Sequence, residues 1–154
     1  MIPRQVKNWM VPNPTIIGPK ATGAEAEALM EAHRIRHLPV MDENHLVGML
    51  TDRDIRLASM PRPRKEPKHS DALLQLIRVE QLMTRDLVTV TPVTPIGEAA
   101  RLMLEQRLGA LPVLEGERLV GIISQGDLLK ALLALLKSKG SQARGMPGKR
   151  RRPS

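Results

Sequence analysis

Apolar residues recur along this chain first at helical spacing, then in two short runs about a polar turn, then at helical spacing again. Ala26, Leu29, Met30 and His33 lie three and four apart and predict one face of a helix. Its start is marked by Thr22-Gly23-Ala24-Glu25, a capping box whose hydroxyl and carboxylate can each satisfy a free helix-terminal amide. Leu38-Pro39-Val40-Met41 and Leu46-Val47-Gly48-Met49-Leu50 predict two strands about the turn Asp42-Glu43-Asn44, and a second helix follows from Asp52. Upstream, Val6 to Met10 predict a short helical lead-in and Pro12-Asn13-Pro14 a turn. Thr15-Ile16-Ile17 predict a brief strand closed by Gly18-Pro19.

The same order then returns at a constant offset of 73 residues, Gly48 becoming Gly121 and Asp54 becoming Asp127. In that register Val6 meets Val79, Met10 meets Met83, Arg34 meets Arg107, and Leu38-Pro39-Val40 meets Leu111-Pro112-Val113. A register kept through so many apolar and turn positions marks a duplicated unit. In the second copy Leu87 to Val90 predict the brief strand, and Thr94 caps a helix with Pro95 at its first position. The expected layout is repeat one over 6–56, an insert with a short helix over 57–78, repeat two with a C-terminal helix over 79–138, and a basic tail over 139–154. Within the insert, Met60 to His69 are proline-rich and basic and predict a solvated connection, and Ser70-Asp71 open the short helix. The last helix, Asp127 to about Lys137, is apolar nearly all round, which predicts a subunit interface on top of packing within its repeat.

Each repeat is too small to bury a secure core alone, so the two are expected to share one. The chain has no cysteine, which removes disulfides, thiolate metal sites and thiol nucleophiles. Trp9 is the only aromatic residue, so stacking platforms for single-stranded nucleic acid are absent. Of the net charge of +8, seven basic residues lie between Lys137 and Ser154 with no acid among them, leaving the rest near neutral. The tail after Gly140 is rich in Gly, Arg, Lys and Pro and is expected to be disordered. With no secretory leader and no apolar run near the roughly 20 residues of a membrane span, the protein is expected to be cytoplasmic, with no membrane partner.

A helix–strand–strand–helix unit with Leu-Pro-Val in its first strand and a Gly-led ending in Thr51-Asp52-Arg53-Asp54 or Ser124-Gln125-Gly126-Asp127, present in tandem, resembles the cystathionine-β-synthase (CBS) domain pair. The likeness covers Val6 to about Leu129 and is greatest to the small stand-alone pairs, some linked with acetoin utilisation. It implies an α/β (α+β) fold of two βαββα repeats packed sheet to sheet about a pseudo-twofold axis, with disc-like homodimers. It also implies clefts for adenosine-containing ligands.

The cleft residues can be argued from their chemistry. Thr51 and Ser124 are placed at helix N-termini, where free amides and the helix dipole favour an anion such as phosphate. Asp54 and Asp127 each offer two acceptor oxygens to a ribose diol, the role that the resemblance implies. The same hydroxyl and acid three apart also form a capping box, and capping alone would place both. The resemblance further implies composite clefts: Thr91, Ile96, Leu108 and Gly109 would face Asp54, and Gly18, Ile35 and Arg36 would face Asp127, with Ile122 on the strand leading to it. Arg36, His37 and Arg53 belong to repeat one, against Gly109, Ala110 and Gly126 in repeat two, which predicts the Asp54 cleft as the tighter site.

The four histidines lack metal-pair spacing, no nucleophile elbow or glycine-rich phosphate loop is present, and no metal site or catalysis is expected. The leading expectation is a non-catalytic sensor that requires no cofactor and binds an adenosine nucleotide (AMP or ATP foremost, then ADP, NAD or S-adenosylmethionine), read by a separate effector protein. The alternative is a nucleic-acid-associated protein that binds phosphates through Lys149-Arg150-Arg151-Arg152.

Overall fold

The computed structural model describes residues 2–59 and 67–142. A 3-10 turn, Val6–Asn8, and a two-residue strand β1, Val11–Pro12, precede α1, Gly23–His33. Then come β2 (His37–Asp42), β3 (His45–Thr51), α2 (Asp52–Ala58), α3 (Pro67–Leu76) and α4 (Val79–Leu82). The second repeat supplies α5 (Ile96–Gln106), β4 (Ala110–Glu115), β5 (Arg118–Ser124) and α6 (Gln125–Gln142). This is the mixed α/β fold expected.

The duplication extends to backbone detail. Both hairpins are antiparallel and carry an irregularity at the same place, between Val40 and Met41 in β2–β3 and between Val113 and Leu114 in β4–β5. Helices α1 and α5 both end on an arginine in the left-handed region, Arg34 (φ 55°) and Arg107 (φ 58°). The hairpin turns match as well, although a glutamate holds the positive φ in one (Glu43, 58°) and Gly116 (65°) in the other.

Each repeat's lead-in completes the other repeat. Val6 N–H donates to Thr94 O (2.8 Å) and Lys7 N–H to Pro92 O (2.8 Å), while Val79 N–H donates to Ala21 O (2.8 Å) and Glu80 N–H to Pro19 O (3.0 Å). Strand β1 pairs antiparallel with β5, and Thr84, the equivalent of Val11, pairs with Met49 of β3. The apolar content follows. Val6 is fully buried among Val90, Ala99, Met103, Leu111, Val113 and Ile123, and Val79 is fully buried among Ile17, Ala26, Met30, Leu38, Val40, Leu50 and Ile55. The two sheets meet through β3 and β5.

The capping box predicted for α1 is present: Glu25 N–H donates to Thr22 Oγ1 (3.1 Å) and Thr22 N–H to Glu25 Oε1 (2.9 Å). Four details differ from expectation. Of Thr15-Ile16-Ile17 and of Leu87 to Val90, only Ile17 and Val90 bridge to a strand, each parallel to the first strand of its own hairpin. Pro95, not Thr94, caps α5, because Thr94 Oγ1 accepts instead from Thr91 N–H (2.9 Å) and closes the preceding turn. Helix α3 begins at Pro67, three residues before Ser70, and packs on α1 and α2 with Leu74 only 1% exposed. Helix α6 runs through Gly140 to Gln142, since one glycine in a helix costs only ~1 kcal/mol relative to alanine. The disorder expected of the tail, and the tail arginines, lie outside the described residues, as does the connection over 60–66. No helix of the described residues is long and apolar enough to cross a membrane.

Candidate functional site

A cavity of about 440 Å³ opens between the repeats. Its floor is the end of β5 and the start of α6: Ile122, Ser124, Gln125, Gly126 and Asp127. One wall is the segment after α1, from Arg34 through Ile35 and Arg36 to His37, and the other is β1 with the turn that follows it, Val11, Asn13, Pro14 and Thr15. Gly109 closes it beside His37. A Cβ there would stand 2.8 Å from His37 Nε2, so the glycine makes room for the ring.

Asp127 is the one buried charged residue among those described, at 7% exposure. Ser124 N–H (2.8 Å) and Ser124 Oγ (3.1 Å) both donate to its Oδ2, and Asp127 N–H donates back to Ser124 Oγ at 3.3 Å. The capping box is therefore real, and it uses one oxygen only. Oδ1 has no protein partner among the described residues, on a side chain that lines the cavity. In repeat one Thr51 N–H donates to Asp54 Oδ2 (2.9 Å) and Asp54 N–H to Thr51 Oγ1 (3.1 Å). Asp54 is only half-buried and does not line this cavity.

Against that single acid stand three basic side chains and the N-terminus of an 18-residue helix, whose free amides carry partial positive charge. Neither Arg34 nor Arg36 makes a side-chain hydrogen bond or ion pair among the described residues. Desolvation by burial holds the His37 pKa below its ordinary 6.5; Asp52 raises it, Arg36 lowers it, and Asp54 raises it. The unfolded chain takes up this proton near pH 6.5 while the folded chain resists it, so His37 costs stability as pH falls below about 6.5. Thermal melts of a His37→Gln variant are expected to show a shallower loss of Tm between pH 7 and pH 5.5 than the parent; parallel curves would contradict this.

Of the residues singled out from the sequence, Ile35, Arg36, His37, Gly109, Ile122, Ser124 and Asp127 come together here. Thr51, Arg53 and Asp54 lie at the start of α2, the equivalent position in repeat one. Leu108 and Ile96 pack on the second core, Thr91 sits in the turn before α5, and Gly18 lies beside the bridge at Ile17. Arg36 lines the cavity of Asp127, where the resemblance puts it; His37 and Gly109, expected on the Asp54 side, line it too. Sequence reasoning missed Arg34, Asn13 and the Pro14-Thr15 wall. Asn13 and Arg34 both have positive φ, which no glycine announces. Among the described residues no three His, Asp or Glu side chains gather as a metal site would need.

A duplicated α/β unit whose lead-ins are exchanged, with a composite cavity between the copies, defines a tandem pair of domains. The sequence profile of the CBS domain matches residues 6–60 and 79–134, and the chain belongs to that family. It is 32% identical over 123 residues to the CBS domain-containing protein YhcV of Bacillus subtilis, covering 80% of this chain and 81% of YhcV. A Vibrio cholerae chain assigned to acetoin utilization (AcuB) matches with TM-score 0.71 at 30% identity, over 93% of this chain and 98% of that one. CBSX2, solved in complex with AMP, matches with TM-score 0.73 at 27% identity, over 86% of this chain and 99% of that one. Such stand-alone CBS pairs are regulatory modules and not enzymes.

Proposed function

We propose that this chain is a cytoplasmic sensor that binds an adenosine-containing ligand, AMP or ATP foremost, in the cavity of Asp127. The observation that carries the reading is the division of labour at Asp127. One oxygen is spent on the helix cap and the other is unpartnered among the described residues, on a side chain lining a cavity whose charged groups are otherwise the guanidinium groups of Arg34 and Arg36. A ribose diol supplies donors for that oxygen, and a phosphate matches Arg34, Arg36 and the α6 amides. Without aromatic side chains, the adenine lies between Ile35, Ile122 and Val11, apolar surfaces suited to a flat ring. CBSX2, of the same fold, takes AMP. Binding shifts the packing of the repeats or of a homodimer, and a separate effector protein reads the change; the ligand acts to the extent that it favours one arrangement.

A thermal-shift series over AMP, ADP, ATP, NAD and S-adenosylmethionine tests this. A ligand at 100 times its Kd adds ~2.7 kcal/mol of stability, a Tm rise of about 5–10 °C for a domain of this size. No shift from any of the five at millimolar concentration would overturn the proposal.

A further inference from the structure

His37 sits where the two repeats meet. It opens β2 opposite Thr51, the cap of α2, and it lines the cavity of Asp127. Its ring leans on Gly109 of the other repeat, and neither ring nitrogen has a hydrogen-bond partner among the described residues. By the 73-residue offset the counterparts of Arg36 and His37 are Gly109 and Ala110, so repeat two repeats neither group. The charges around the ring come from three directions. Burial holds its pKa down; Asp52 of α2 raises it, Arg36 of its own segment lowers it, and Asp54 of α2 raises it. Both of those acids are already engaged, Asp52 by Arg56 (2.9 Å) and Asp54 by the Thr51 amide (2.9 Å). Arg34 shares the wall, and the floor adds Asp127, one oxygen of which is held by Ser124. The turn after β1 brings no titratable group to the cavity.

We propose that His37 makes ligand binding proton-linked: its ring is neutral while the cavity is empty and takes up a proton as a phosphate-bearing ligand enters. A phosphate brings up to about two negative charges and only acceptor oxygens. The neutral imidazole meets it with one N–H and one lone pair, and protonation turns that lone pair into a second donor. The entering anion also offsets Arg34 and Arg36, the cations that share the wall with the ring. Phosphate-bearing ligands therefore bind more tightly as pH falls from 8 towards 6.5, and phosphate-free ones do not. Gly109 is what allows this, because a Cβ there would stand 2.8 Å from His37 Nε2 and displace the ring from the cavity wall.

This linkage deepens the adenosine reading above and rests on it for the ligand, and the two fail separately. Ring-proton NMR of the full chain follows the four histidines through pH, with His37→Gln identifying the His37 signal. AMP is expected to raise the His37 midpoint by at least ~1 pH unit, inorganic pyrophosphate to raise it as well, and adenosine to leave it in place. In titration calorimetry AMP is expected to bind ~3- to 10-fold more tightly at pH 6.5 than at pH 8, below the limit of tenfold per pH unit for one linked proton. His37→Gln is expected to lose that gain, and the difference between parent and variant removes the titration of AMP itself. A midpoint that neither AMP nor pyrophosphate moves, or that adenosine moves equally, overturns the linkage whatever the chain binds. An equal pH dependence in His37→Gln overturns it too. A midpoint raised by pyrophosphate, with no effect of AMP on midpoint or Tm, upholds the linkage and overturns the adenosine reading.

Discussion

Replacing Asp127 with asparagine is expected to weaken adenosine-nucleotide binding by about 10- to 100-fold, with little loss of thermal stability. The carboxamide keeps an acceptor for Ser124 N–H and Oγ, so the cap on α6 survives. What changes is the other atom, where an acceptor gives way to an NH2 donor facing a diol that also donates. Hydrogen bonds to a charged group contribute ~1.5–3 kcal/mol, which sets the fold-change. Asp54→Asn is expected to alter affinity by no more than about threefold, because Asp54 does not line the cavity. Titration calorimetry on both variants decides the matter: equal losses would assign the ligand to both clefts, and a loss only at Asp54 would move the site to repeat one.

Gly121→Ala is expected to destabilise the protein by ~1–3 kcal/mol, a fall in Tm of about 3–10 °C. A Cβ on Gly121 meets Met10 Sδ and stands 3.0 Å from Val11 O, and one on Gly48 meets Met83 Sδ and stands 3.1 Å from Thr84 O. Met10 and Met83 can swing aside, but the carbonyls belong to residues paired directly with β5 (Val11 of β1) and β3 (the bridge at Thr84) and cannot. Gly48→Ala should therefore act alike. Gly121→Ala should also weaken ligand binding, since it displaces the β1 wall of the cavity. Gly97→Ala, with nothing within 4 Å of the added atom, serves as control and is expected to raise stability by up to ~1 kcal/mol. An unchanged Tm in Gly121→Ala would show that β1 does not hold its place on β5.

The hairpins, the capping box at Thr22 and the offset of Gly48 to Gly121 were legible because strand alternation, capping chemistry and turn residues are local, and the repeat states them twice. The exchange of lead-ins was not. Val6 and Val79 are equivalent in the repeat, and the pattern of either is satisfied whether it packs on its own core or on the other. Only the geometry of the chain chooses. The same ambiguity bears on the comparison of the clefts: by sequence His37 counts with Asp54, whereas it lines the cavity of Asp127. Ser124 and Asp127 were legible as a pair in either role, since one motif both caps a helix and presents a carboxylate. Which oxygen does which is fixed only by the bonds to Oδ2.

Because Val6 seats in the second core and Val79 in the first, a solitary half would fold around a hole where its neighbour's leader belongs. Two copies of one half could each fill the other's gap, and the full chain is such a pair joined by a tether. The insert over 57–78 keeps the partners at high effective concentration, besides supplying α3 and its Leu74 to the first core. A single cut in that insert should leave two fragments that stay clasped and run together until a denaturant frees them.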